Sequence, residues 1–249
     1  MLEIITITKN DKVGLFNTVD STRLLREKFP VRQIIIDSSD KDVSSEIKLL
    51  FGKEKNLSYY WQEPSGISSA FNFGISKASS KWIWFLNGGD IFNNNEIDLN
   101  CFYYIVEKSS ADAIIFQIKY SQTNEVLMHP ELWALWPPIL SWVPHPSTIV
   151  RKKLFDDYGL FDENLKIAMD YEIWLRFFSN KVKVDIISIP IVIFDKSGLA
   201  FTQNNETKRE VSRVLRKYFW VILKKWFWQL RIITKAFIIN SLLFRNKNK

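Results

Sequence analysis

An alternation constrains this chain more than any single motif. Short apolar runs at Glu3–Thr8, Gln33–Ile36, Leu57–Trp61, Trp82–Leu86 and Ala113–Tyr120 are separated by segments of helical spacing at Gly14–Phe29, Ser44–Leu50, Ser68–Ala78 and Glu96–Glu107. Runs rich in Ile, Tyr and Trp that alternate with helices predict an α/β fold, a mostly parallel sheet covered on both faces. In such sheets ligands sit outside the carboxyl ends of the strands. The stretches to read for chemistry are therefore "TKND", "DSSD", "QEPSG" and "NGGD", which follow the first four runs.

Those ends offer acids and amides: Thr8 and Asn10 after the first run, Asp37 after the second, Glu63 after the third, Asn87 and Asp90 after the fourth. The chain has no GxGxxG, GxxxxGK[ST] or GxSxG, so the dinucleotide, P-loop and serine-hydrolase readings lose their main support. Carboxylates suit Mg²⁺ or Mn²⁺, which are commonly held by one or two protein oxygens together with the oxygens of a diphosphate. With 249 residues, 47% of them apolar, the chain can bury a sizeable core. Its single cysteine, Cys101, excludes an intramolecular disulfide and a Cys-based metal cage, and suits a reducing compartment. The start, "MLEIITITKND", has neither the basic region nor the cleavage site of a signal peptide and reads as a first strand.

The segments "EIITITKND", "QIIIDSS", "YWQEPSGISSAFNFGISKASSKWIWFLNGGD" and "PHPSTIVRKKLFDDYGLFDENLKIAMDYEIWLRF" together resemble family 2 glycosyltransferases of the GT-A (Rossmann-like) fold, in particular bacterial enzymes of capsule, O-antigen and exopolysaccharide assembly. The likeness covers roughly residues 1 to 200 and implies a donor site for a nucleotide sugar. By resemblance Asp37 meets the nucleoside and Asp90 belongs to the motif that binds the metal and the diphosphate. A divalent cation there stabilises the charge that builds on the departing phosphates. By the same resemblance Asp170 is the general base, taking the proton of an acceptor hydroxyl. A base opposite the leaving group allows one in-line displacement and inversion at the sugar carbon. Plainer readings stand beside these: Asp90 as a turn residue after two glycines, and Asp170 as an N-cap.

Other positions are open in the sequence. Asn72 can bond the donor or tie down nearby backbone. His145 aligns with a histidine of the family and can serve the metal or a phosphate, or be a structural donor. Arg176 can pair with phosphate or with an acid of the protein. Trp133, Trp136 and Trp142, in a proline-rich loop, offer flat faces for an acceptor sugar, with Glu172 expected on the same side; a buried loop is the alternative for the tryptophans. The chain departs from the family where Ser65 and Ser69 replace acids common in relatives, and in a short "DSSDKD" that leaves Asp37 and Asp40 both eligible for the nucleoside. The serines also motivate a different class of function, a non-catalytic GT-A domain that binds a sugar nucleotide or an assembly partner. A nucleotidyltransferase ranks last, for want of a basic Gly-rich loop.

Charge divides the chain in two. From Val211 to Lys249 there are ten Lys or Arg and no acid, so that of the net +7 the first 210 residues hold −3, with 24 basic against 27 acidic side chains. This predicts a GT-A domain over 1–203 and a basic, amphipathic helical tail over 204–249. Arg213, Arg216, Lys217 and Lys224 fall on one face, and Leu215, Phe219, Ile222 and Trp226 gather opposite. Such a tail fits an anionic membrane surface at the cytoplasmic face of a bacterial inner membrane, with a lipid-linked saccharide as acceptor. The broad apolar face argues against nucleic acid, and a second copy of the chain remains a further use for it.

Overall fold

A computed structural model describes residues 1–127, 143–180, 182–194, 205–224 and 227. Four parallel strands come first: β1 (Leu2–Thr8), β2 (Val31–Asp37), β3 (Leu57–Trp61) and β4 (Trp82–Phe85). Between them lie α1 (Lys12–Ser21), α2 (Arg23–Lys28), α3 (Lys41–Phe51) and α4 (Ile67–Lys77). The helix expected over Gly14–Phe29 breaks into α1 and α2 at Thr22. There the buried hydroxyl donates to Gln33 Oε1 of β2 at 2.7 Å.

The chain continues through β5 (Ile91–Phe92), α5 (Leu99–Lys108), β6 (Ala113–Tyr120) and β7 (Val126–Leu127), then a 3₁₀ turn (His145–Ser147). It ends with β8 (Thr148–Arg151), α6 (Lys153–Tyr158), α7 (Met169–Ser179), β9 (Val184–Phe194) and a helix over 205–224, here α8. Among the described residues the sheet has nine strands in the order β3-β2-β1-β4-β8-β6-β9-β5, with β7 on β6. The first half is parallel throughout, as the alternation predicts, whereas β8 runs antiparallel to both β4 and β6.

Burial on both faces follows from the strand period of two. In β4, Trp82 and Trp84 enter one core cluster with Phe92, Phe102 and Phe116, while Ile83 and Phe85 enter the other with α4 and α7. Register sets the functional edge: Thr8 lies opposite Asp37, and Asp37 opposite Trp61, so three strands end level. Past Phe85 the chain keeps following β1, Leu86 N–H donating to Ile5 O and Gly88 N–H to Ile7 O, both at 3.0 Å. The "NGGD" turn is thereby laid beside that row of strand ends.

Helix α8 joins the same core. Val214, Tyr218 and Ile222, four residues apart, are buried against the α4 and α7 cluster. The boundary expected after residue 203 therefore does not separate α8 from the domain, and the apolar face of the expected tail is partly used inside the protein. Phe219, Trp220 and Phe227 remain exposed. Among the described residues no helix is long and apolar enough to cross a membrane.

Candidate functional site

At the ends of β1 and β2, polar side chains zip two loops together. Asp37 is fully buried; its Oδ1 accepts the Ser39 N–H at 2.8 Å and its Oδ2 the Tyr59 hydroxyl at 2.8 Å. Burial, together with that bond to Asp37, pushes the Tyr59 phenol up to about 12. Asn10, held at a left-handed φ of 55°, donates its backbone N–H to Ser39 Oγ and its amide to Asp40, and accepts the Asp40 N–H. Thr8 turns inward and donates to Asp11 O at 3.2 Å. The choice between Asp37 and Asp40 thus takes a physical form: Asp37 braces the loop from beneath, and Asp40 is exposed at its surface. Trp61, which the sequence reading did not single out, is half-exposed at the end of β3, with Nε1–H bound to Ser39 O at 3.1 Å. It borders a cleft of about 710 Å³ lined also by Lys41, Ser44, Lys48, Tyr59 and Tyr60.

The "NGGD" turn is built on α1 and β1. Thr18 Oγ1 donates to Asn87 O at 3.1 Å and accepts the Gly89 N–H at 2.9 Å. Gly89 needs its missing side chain, since φ is +103°. Asp90 is buried and accepts the Asn87 N–H at 2.9 Å, its one hydrogen-bond donor among the described residues. Burial pushes its carboxyl up to about 7, against the weaker pull of that amide. Asn87 Oδ1 is buried without a partner among the described residues. A buried carboxylate short of donors and an orphaned amide oxygen in one turn are hard oxygen ligands of the kind Mg²⁺ or Mn²⁺ takes. No three His, Cys, Asp or Glu gather round an ion among the described residues, so the two fit a cation whose remaining ligands come from phosphate and water.

His145 lies in an aromatic box of Phe71, Phe85 and Phe161, with ring centroids 5.4, 5.1 and 5.8 Å away. Burial pushes it down to about 4, and neither ring nitrogen has a partner among the described residues, so it is neutral. The structure does not bring it into a metal-ligand group with Asp90 and a third such residue.

Asp170 is the second residue of α7. The N-cap is Ala168, so the N-cap reading of Asp170 fails; its carboxylate instead accepts the Tyr171 N–H within the first turn, at 2.6 Å. Burial pushes this carboxyl up to about 6 against its backbone hydrogen bonds. The segment leading to it is held from outside. Asn72 donates to Phe161 O at 3.0 Å and Glu163 Oε1 at 2.9 Å and accepts the Phe161 N–H, while Ser68 donates to Leu165 O. Asn72 is therefore a brace between α4 and the segment before α7; with both amide hydrogens committed it is not placed as a donor ligand.

Glu172 corrects another expectation. It is fully buried and faces α8, accepting from Arg176, from Lys217 at 2.8 Å and from Tyr218 at 2.7 Å. Burial works against its charge, yet these three partners outweigh burial and hold it below the usual carboxylate range. Neither Glu172 on an acceptor nor Arg176 on a phosphate fits this packing, because each neutralises the other inside the protein. Ser65 and Ser69 bond one another at 3.0 Å and both accept from Gln62, with Glu63 exposed beside them. Trp133, Trp136 and Trp142 lie outside the described residues. The sequence reading also missed Glu210, on α8. Its carboxylate takes the N–H groups of Lys166, Ile167 and Ala168. No local signal announces it, since its partners lie more than forty residues upstream.

Comparison with known proteins agrees with this geometry. The profile described as "Glycosyl transferase family 2" matches residues 3–181. A protein of Mycobacterium tuberculosis named as a glycosyltransferase is 35% identical over 183 residues, which is 70% of this chain and 68% of that one. One from Rickettsia prowazekii, likewise named, is 26% identical over 189 residues, and the match takes in 56% of its length. Among the Rickettsia relatives the matched share of the protein falls as low as 22%. The crystal structure of S. aureus TarS 1-349 in complex with UDP-GlcNAc superposes with a TM-score of 0.65 at 16% identity, covering 86% of this chain and 66% of that one. Mannosyltransferase PcManGT from Pyrobaculum calidifontis, in complex with GDP-Man and Mn²⁺, gives 0.63 at 11%, covering 88% and 64%. These likenesses establish the GT-A fold.

Proposed function

The chain belongs to glycosyl transferase family 2, and from that premise we propose that it is an inverting, divalent-cation-dependent glycosyltransferase that moves a sugar from a nucleotide sugar to a lipid-linked saccharide. One observation carries this reading. Asp90 and Asp170 are two carboxylates of raised proton affinity, one in a turn with an orphaned amide oxygen and one in the first turn of a helix. A fold alone has no need of either, because burying a charge short of donors is unfavourable.

On this reading the nucleoside lies over the loop zipped by Asn10, Ser39 and Asp40, with Trp61 as its flat wall. Asp90 and Asn87 Oδ1 hold Mn²⁺ or Mg²⁺. The cation supplies charge stabilisation to the departing diphosphate. Asp170, ionised above about pH 6, takes the acceptor's proton as its oxygen attacks the anomeric carbon, and the nucleoside diphosphate leaves from the opposite face. Its affinity near 6 suits that task, since the base must be free at neutral pH and still able to hold a proton.

The acceptor and the place of work rest on α8 and the residues after it. Exposed Phe219 and Trp220 stand on a helix that also presents Lys208, Arg209, Arg213 and Arg216 to solvent, and Phe227 beyond it is exposed as well. Aromatic and cationic side chains on one exposed element support attachment to an anionic membrane at the cytoplasmic face of a bacterium, and with it surface polysaccharide assembly. The test of the activity is direct. UDP-sugars and GDP-sugars are screened by thermal shift with Mn²⁺ or EDTA, and the binders are assayed for nucleoside diphosphate release. A donor that stabilises the protein only with cation and is consumed supports the proposal; a donor that binds without ever being consumed, with any saccharide acceptor, makes the chain a sugar-nucleotide-binding domain.

A further inference from the structure

The first turn of a helix exposes N–H groups that no earlier carbonyl can take, and in α7 that turn carries Asp170. Ala168 caps it without a side-chain bond, so the amides leading into the helix need an acceptor from elsewhere. Glu210 provides it from α8. Oε1 accepts Lys166 N–H at 2.9 Å, and Oε2 accepts both Ile167 N–H and Ala168 N–H at 2.9 Å. Glu210 is 6% exposed. Burial alone would favour its neutral form, but the three amides outweigh burial and hold it below the usual carboxylate range.

The same helix grips α7 a second time. Seven and eight residues beyond Glu210, Lys217 and Tyr218 bind Glu172, two residues beyond Asp170. Between the two grips Val214 is buried in the core. Helix α8 thus holds the chain on both sides of Asp170, through the backbone of 166–168 before it and the Glu172 side chain after it, with a charge-assisted bond at each point. The remaining support, Asn72 and Ser68 of α4, reaches only the segment 161–165.

We propose that Glu210 is a positioning residue for the base: by filling the amide cradle Lys166–Ala168 it sets the angle at which α7 presents the Asp170 carboxylate to the acceptor hydroxyl. The proposal rests on the reading of Asp170 as base. Without Glu210 the amides of Lys166, Ile167 and Ala168 lose their acceptor, and the entrance of α7 is free to shift with Asp170 on it. A base carried on a shifted helix is displaced from the reacting oxygen. Displacement by about 1 Å at such a group slows transfer by roughly a hundredfold.

The test compares the full-length chain with Glu210→Ala, Glu210→Gln, Asp170→Asn and the double variant Glu210→Ala/Asp170→Asn. Release of UDP from UDP-N-acetylglucosamine and of GDP from GDP-mannose is measured with Mn²⁺, alongside equilibrium binding of UDP and GDP and amide hydrogen exchange. Glu210→Ala should lower kcat by about 10- to 100-fold and leave nucleotide affinity within about twofold, with faster exchange confined to residues 166–171. Glu210→Gln, which keeps one oxygen for Ile167 and Ala168, should recover part of the loss. Because Glu210 acts through Asp170, the double variant should be no slower than Asp170→Asn alone. A multiplicative double variant, a parallel loss of kcat and nucleotide affinity, or unchanged exchange at 166–171 overturns the proposal. Near-normal turnover by Asp170→Asn removes the base assignment instead, a result separable from any of these.

Discussion

The "NGGD" turn and the first turn of α7 each carry an acid whose proton affinity is raised, Asp90 buried and Asp170 half-buried, yet they are held in opposite ways. The turn leans on near neighbours in the parallel half: Thr18 of α1, Ile7 of β1 and the glycines that let the chain pass. The α7 turn leans on distant ones, Asn72 of α4, then Glu210, Lys217 and Tyr218 of α8. On the proposed function the first would hold a cation, whose other ligands can adjust to small errors of placement, and the second a general base, which has only its own geometry and is clamped here from two elements, α4 and α8.

The largest effect should come from removing the clamp. Termination after Asn204 exposes the core where Val214, Tyr218 and Ile222 lie, each worth roughly 1.5–3 kcal/mol of burial, and leaves Glu172 buried without Lys217 and Tyr218. Loss of cooperative unfolding by circular dichroism is expected. Termination after Phe227 should leave that transition in place, together with nucleotide binding. Sedimentation of this second truncation with vesicles containing phosphatidylserine then divides the attachment: full binding by the truncated chain would assign it to Phe219, Trp220 and their basic neighbours alone, and lost binding would assign it to residues 228–249.

Point changes should separate the two regions more gently. Asp170→Asn should retain Mn²⁺-dependent binding of the nucleoside diphosphate and lose turnover by about 10² to 10⁴, the scale of a positioned acid or base. Asp90→Asn should do the reverse first, abolishing the effect of Mn²⁺ on nucleotide affinity while the unfolding transition persists. Equal Mn²⁺ dependence in parent and Asp90→Asn would leave Asp90 as a turn residue. A single pattern for both variants would end the division of labour.

How far the sequence could be read follows the same division. Each of the first four strands and β6 was placed to within about two residues, because period-two burial and glycine punctuation are local properties. The place of Asp90 in the fold is legible for that reason, after two glycines that follow a buried strand. Asn72 stays open in the sequence, and Glu172 is expected on the wrong side, because the same residue types serve a ligand or a brace and only the partner decides: Phe161 and Glu163 for one, Lys217 and Tyr218 for the other. Helical periodicity showed that α8 has an apolar face but not what covers it. In the structure the buried line is Glu210, Val214, Tyr218, Ile222, and Phe219 of the expected face points outward. Glu210 itself carries no motif, since its function is defined by amides of a loop remote in sequence.

The smallest expected effect concerns stability at Asp170. Its carboxyl titrates at about 6 in the folded protein and near 3.8 in an unfolded chain. Below about pH 3 both states are mostly protonated there and the site contributes little. As pH rises from about 3 to 6 the unfolded chain ionises first, so the folded state loses stability over that window, and above it the loss is constant. Asp170→Asn removes the charge and should therefore stabilise the protein at pH 8, with a gain that is mostly gone by about pH 4. One pKa unit corresponds to about 1.4 kcal/mol; because Asp170 is only half-buried, solvent screening reduces the gain to about 1–2 kcal/mol. Urea denaturation of parent and variant at pH 4, 6 and 8 measures it. A variant that is less stable than the parent at pH 8 would mean that the Tyr171 amide bond outweighs burial, and that the base is held by hydrogen bonding, like a brace, and not poised by desolvation.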